Sequence, residues 1–176
     1  QIRGEWNDAL KYFERSYTFP RVDEKTSAMA YIKYGEMLYR KGEVKESLKY
    51  FEEGCEICKK IDYPKGLARS INNIGLVLEK KGNLSNALEK HRESLKIREE
   101  IDDKSGMSIS LSSIGIVLYT KGDLEGALKK HHESLKIREE IGDKSGIAMS
   151  LSSIGIVLYT KGDLDVALKK FKESLE

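Results

Sequence analysis

The sequence predicts an all-α chain folded as a solenoid of antiparallel helix pairs. Two features carry that expectation. Glycine recurs at Gly42, Gly82, Gly122 and Gly162, and again at Gly35, Gly75, Gly115 and Gly155, each series at intervals of forty residues. A fixed period of this size is the signature of stacked repeats. Within a period, apolar residues such as Leu111, Ile114, Val117 and Leu118 recur at spacings of three and four, the stripe that a helix buries. Strand-like alternation bounded by turn signals is absent, and only Pro20 and Pro64 interrupt the chain.

Taken in order, residues 4–19 read as a lone second helix, with Trp6, Ala9, Phe13 and Ser16 in its slots and Pro20 ending it. Residues 1–20 are therefore an orphan half-repeat. Four repeats follow at 21–60, 61–100, 101–140 and 141–176, the last shortened, giving nine helices in one solenoid domain. The third repeat shows the grammar most clearly. A helix over residues 104–120 is stopped by Lys121-Gly122-Asp123, where glycine takes the left-handed conformation and aspartate accepts from the free N–H groups of the next helix. So short a connection folds the second helix back antiparallel. That helix carries Leu124, Ala127, Leu128, His131, Leu135 and Ile137, and Ile141-Gly142-Asp143-Lys144 turns the chain into the next unit. Gly146 leaves room for close packing in the following first turn. Residues 104–135 and 144–175 share 25 of 32 positions, so the units are duplicates.

Composition excludes several function classes. The 176 residues hold 31 Lys and Arg against 29 Asp and Glu, a net charge of only +2. Nucleic acid is not expected as a partner, because phosphate binding needs a concentrated basic footprint. No apolar run approaches a membrane span and no basic-then-apolar leader opens the chain. A membrane is likewise not expected, the expected location is cytoplasmic, and the chain reads as a fragment of a longer protein.

The slots of these units resemble the tetratricopeptide repeats, whose signature places Trp, Leu, Gly and Tyr on the first helix and Ala, Phe or Tyr, and Ala on the second. In the third unit they hold Leu111, Ile114, Gly115 and Leu118, then Leu124, Ala127, His131 and Ser134. The first unit supplies Tyr31, Tyr34, Gly35 and Leu38, then Val44, Ser47, Phe51 and Gly54. The forty-residue period and the IGDKSG junction are similar to partner-of-Inscuteable adaptors, kinesin light chains and the sensor arms of some bacterial regulators. The resemblance implies a right-handed superhelix and a non-catalytic role in protein interaction.

Candidate chemistry is sparse. Cys55 and Cys58 form a C-x-x-C late in a second helix, whereas low-pKa redox pairs use helix N-termini. Copy comparison gives Cys55 the slot of Leu95 and Leu135, hence a core thiol, and Cys58 the slot of Arg98 and Arg138, hence a partly exposed one. His91 and His131 share a slot with Phe51 and Phe171, which points to packing. No catalytic spacing is present, so neither enzyme activity, nor a cofactor, nor a metal is expected.

The resemblance also implies a concave groove lined by first helices. Transferred residue by residue, its wall is Met29, Ile32, Glu36 and Tyr39, then Arg69, Asn72, Leu76 and Glu79, then Ile109, Ser112, Ile116 and Tyr119, and last Met149, Ser152, Ile156 and Tyr159. Lys33, Arg40, Asn73, Lys80, Ser113 and Ser153 flank it. Units one and two bring Lys33, Glu36, Arg40, Arg69, Glu79 and Lys80, whereas units three and four bring no charge. The expected partner is a protein or peptide segment, acidic toward the first half and apolar toward the second, with Asn72 and Asn73 offering amides to its backbone. An adaptor, scaffold or sensor part of a larger protein fits this reading. The alternative is a structural element that self-assembles end to end through uncapped ends, a homo-oligomer.

Overall fold

A computed structural model describes residues 23–175, so the lone helix expected over residues 4–19 lies outside the described residues. Eight α-helices follow in sequence: α1 (Glu24–Lys41), α2 (Val44–Lys60), α3 (Pro64–Lys80), α4 (Leu84–Glu100), α5 (Lys104–Thr120), α6 (Leu124–Glu140), α7 (Lys144–Lys161) and α8 (Leu164–Glu173). Each helix packs on the next, making four hairpins in a row. First helices of neighbouring hairpins also approach one another, α1 to α3 and α3 to α5, whereas second helices show no comparable approach. The first helices therefore form the inner layer of a curved stack.

The turn inside each hairpin follows from one residue. Gly42, Gly82, Gly122 and Gly162 have φ of +91°, +77°, +84° and +90°, a region that costs other residues a Cβ clash. After Gly122, the Asp123 N–H returns to the Leu118 carbonyl at 2.9 Å while the Gly122 N–H bonds Tyr119 O at 2.9 Å. This pair of bonds satisfies two carbonyls left over at the helix end. Asp123 then accepts from Gly126 N at 2.9 Å and opens α6, the role its side chain was expected to take.

Helix-to-helix distance inside a hairpin is set by a glycine facing a ring. A Cβ on Gly115 would lie 2.6 Å from Cε1 of His131, and one on Gly35 would lie 2.7 Å from Phe51. Both rings are fully enclosed, with His131 at 2% and Phe51 at 1% exposure. Around them sit small apolar clusters that join one hairpin to the next, such as Ala87 and Leu88 of α4 with Ile114 and Val117 of α5.

The joints between hairpins hold a feature the residue types hid. Arg138 Nη1 donates to the Gly146 carbonyl and to Ser150 Oγ, both at 2.8 Å, and Arg98 Nη1 makes the matching bonds to Gly106 O and Ser110 Oγ. Both arginines are buried, and burial pushes the Arg98 guanidinium down to about 10. At the first joint the same slot holds Cys58, which is wholly buried beside Gly66. This corrects the expected partial exposure of Cys58, which assumed that a slot shared with arginine faces water. Burial pushes both thiols, Cys55 and Cys58, up to about 11, so they sit as inert core groups.

Gly115→Ala forces a methyl into the His131 ring and is expected to cost about 1–3 kcal/mol. A urea melt of the variant shifted to lower midpoint with unchanged slope would show it; an unshifted midpoint would mean the hairpin can open to accommodate the carbon.

Candidate functional site

The inner layer presents a groove whose first half is polar. A cavity of about 520 Å³ lies between α1, α3 and the start of α5, lined among others by Glu36, Arg40, Arg69, Asn73, Leu76 and Ile109. Arg69 grips Glu36 with two bonds of 2.7 Å, Nε to Oε1 and Nη2 to Oε2, and Asn73 Nδ2 adds a third to Oε1 at 2.9 Å. These bonds tie α3 to α1, with help from Tyr39 OH donating to the Leu76 carbonyl at 3.3 Å. Two of the six expected charges thus neutralise each other. Lys33, Arg40 and Lys80 remain exposed.

Four expected wall residues turn inward. Ile32 is fully buried and packs with Ala28 and Cys58, because position 32 points at the second helix of its own hairpin. Asn72 is 3% exposed, its Oδ1 lying 2.9 Å from His91 Nδ1, while His91 Nε2 lies 2.7 Å from Glu79 Oε1. Asn73 is 8% exposed and its Nδ2 is bound to Glu36, so each amide is largely enclosed and has one of its two polar atoms already engaged. Ser113 is likewise buried.

The second half of the groove keeps its apolar wall open. Ile109, Ile116 and Ile156 are 46%, 45% and 47% exposed, and Met149 and Tyr159 more so. Ser112 bonds Ser134 Oγ at 2.9 Å and Ser153 donates back to the Met149 carbonyl at 3.0 Å, while Ser152 is half-buried. Tyr119 OH meets Thr160 Oγ1 at 3.0 Å and links α5 to α7.

Sequence reasoning missed several groups at the cavity: Lys65, Arg98, Asp103 and Ser105 also line it. Lys65 Nζ sits 3.5 Å from Asp103, an ion pair between the starts of successive first helices. The recurring junction acid, with a lysine one unit earlier, was the available signal.

The two histidines show how copies diverge. Both rings lie against their glycine in the same pose. Where His91 has Asn72 and Glu79, His131 has Ser112 and Tyr119, and its Nδ1 is buried without a partner among the described residues. Burial, then the nearby Arg138 and His132 charges, hold the His131 imidazole down to about 4. The unfolded chain binds this proton near pH 6.5 and the folded chain only near 4, so folding stability is full above about 6.5 and falls as pH drops toward 4. His131→Phe, which copies the ring of Phe51 and Phe171, should remove a loss on the order of 3 kcal/mol over that window. Denaturant melts of both proteins at pH 7 and pH 4.5 check it; parallel losses in the two would show that other groups carry the acid sensitivity.

The sequence model of the tetratricopeptide repeat family matches residues 26–100 and 106–176. Among curated protein sequences nothing matches the chain. Solved structures match its fold closely. A Rap protein complexed with competence and sporulation factor superposes with a TM-score of 0.87 at 16% identity, covering 99% of this chain and 49% of that one. The Rap conjugation gene regulator of plasmid pLS20, in complex with the Phr* peptide, gives 0.86 at 21% identity, again with 99% and 49% coverage. A kinesin light chain from Podosopora anserina with nearly identical TPR-like repeats gives 0.72 at 11% identity, covering 98% and 86%. The chain thus spans about half the length of the two Rap proteins. With the family signature matched across both halves and the helix pairs stacked as these neighbours stack theirs, the chain belongs to the tetratricopeptide repeat family.

Proposed function

We propose that this chain is a non-catalytic interaction module that takes a protein segment in the groove of its first helices, as the adaptor, scaffold or sensor part of a larger cytoplasmic protein. The observation that carries the reading is the open apolar wall. Ile116 and Ile156 stay nearly half exposed at equivalent positions forty residues apart, although neither serves the glycine-ring packing. Covering one such side chain is worth about 1.5–3 kcal/mol when complete, which favours a guest over water. The Rap structures that hold peptides have the same fold, and that likeness supports the reading at the level of fold. The guest is acidic where it meets Lys33, Arg40 and Lys80 and apolar beyond, by charge complementarity.

Replacing both Ile116 and Ile156 with Asp is expected to abolish capture of partners from a cell lysate, with helical content preserved because both sites face water. Mass spectrometry of the captured proteins is the readout. An unchanged set of captured proteins would place the interaction on another face.

A second reading, end-to-end self-association, has one observation in its favour. Leu164, Val166 and Leu168 of α8 are 50–57% exposed, whereas Leu128 and Leu88, one and two repeats back in the register of Leu168, pack on a following first helix. Light scattering across a concentration series distinguishes it, since growth in mass supports stacking and a constant monomer mass removes it.

A further inference from the structure

We propose that the guest of this groove is an amphipathic helix lying across the first helices, with its acidic N-terminal end over α1 and α3 and its apolar stripe over α5 and α7. The proposal rests on the groove being the interaction face, and it adds the conformation, direction and spacing of what binds.

Hydrogen bonding favours a helical guest over an extended one. An extended or polyproline segment arrives with backbone N–H and C=O groups that have no internal partners. Those groups need donors and acceptors from the wall. Apart from Lys33, Arg40 and Lys80 in the first half, the wall has few free donors: Asn72 Oδ1 is held by His91 and Asn73 Nδ2 is given to Glu36. Thr120, Ser153 and Thr160 donate to the carbonyls four residues back, at 2.9, 3.0 and 3.0 Å, and Ser112 faces Ser134. Such hydroxyls can still accept, but an extended chain also needs donors. A helix satisfies its own backbone and asks the wall only for apolar contact.

The spacing of the wall favours a helix as well. Ile116 and Ile156 occupy one position in successive copies, and packed helices stand roughly 10 Å apart. A guest helix climbs about 1.5 Å per residue, so one hairpin pitch corresponds to roughly seven residues, two full turns that return a side chain to the same face. A β-strand covers the same distance in about three residues, which puts successive anchors on opposite faces. Heptad-like spacing therefore fits the duplicated wall and strand spacing does not.

Charge sets the direction of the guest. Lys33, Arg40 and Lys80 are exposed and none has a carboxylate partner among the described residues, whereas the walls of α5 and α7 contribute no charge. Acidic residues are favoured in the first turn of a helix, where they also complement its dipole. The acidic end is thus the guest's N-terminus, which fixes its direction along the array.

The test uses synthetic fluorescein-labelled peptides of about twenty residues, long enough as a helix to reach about 30 Å. One carries Glu in its first turns and Leu at heptad spacing, held helical by a side-chain staple; a second has the same composition with two central prolines; a third moves the Glu block to the C-terminal end. Fluorescence anisotropy is expected to give the stapled helix at least about tenfold tighter binding than either relative. Ile116→Asp and Ile156→Asp should each remove most of that binding, and an unstapled version should gain helical circular dichroism on titration. If the proline peptide binds as well as the stapled one and is still lost with Ile116→Asp, the groove reading stands and the helical guest is overturned. If the stapled peptide does not bind, the helical guest is likewise overturned. Binding by every peptide that ignores both substitutions overturns the groove itself.

Discussion

The contact between a glycine of each first helix and a ring of its partner governs the rest of this structure. Phe51, His91, His131 and Phe171 each lie where a Cβ on Gly35, Gly75, Gly115 or Gly155 would stand. That absence of a side chain lets the two helices of a hairpin approach closely, and packing at this density leaves little slack to redistribute. The same contact recurs in all four hairpins. Stacked hairpins bring their first helices together on one side, and a trough follows.

What the trough displays depends on how the copies have drifted. In the first two units the inner face is a polar lattice, with Glu36 shared by Arg69 and Asn73, and Glu79 and Asn72 bracketing His91. In the last two units the same positions carry serine, tyrosine, isoleucine and methionine, and the lattice is gone. His131 keeps the pose of His91 without its partners, so the third hairpin retains a buried polar atom that nothing among the described residues satisfies. The asymmetry of the groove and the unpartnered imidazole are two results of one change in residue type.

The fold was legible because its determinants are periodic. The glycine rows, the stop at Lys121-Gly122-Asp123 and the ring slot all follow from local stereochemistry, which a sequence displays directly. The site was legible only in part. Exposure of Ile116 and Ile156 followed from their place on the helix, but the fate of Asn72 and Asn73 depended on which distant side chains could reach them, and copy comparison ranks positions without measuring reach. Cys58 failed for a related reason. Arginine in the equivalent slot suggested water, yet the guanidinium is folded under the next hairpin and bonded to a backbone carbonyl, with its Nε left unpartnered in both copies.

The turns between hairpins carry a quieter consequence. Asp62, Asp102 and Gly142 stand at corresponding places with φ of +50°, +51° and +67°, and the residue after each returns its N–H to a carbonyl of the preceding helix at 2.9 Å. Aspartate adopts this left-handed state against a penalty of roughly 1–2 kcal/mol that glycine escapes, and yet the bend is the same. The connectors therefore obey the interfaces on either side of them. Curvature in such an array is a property of its masonry and not of its mortar, so aspartate and glycine replace one another in these linkers without altering the bend.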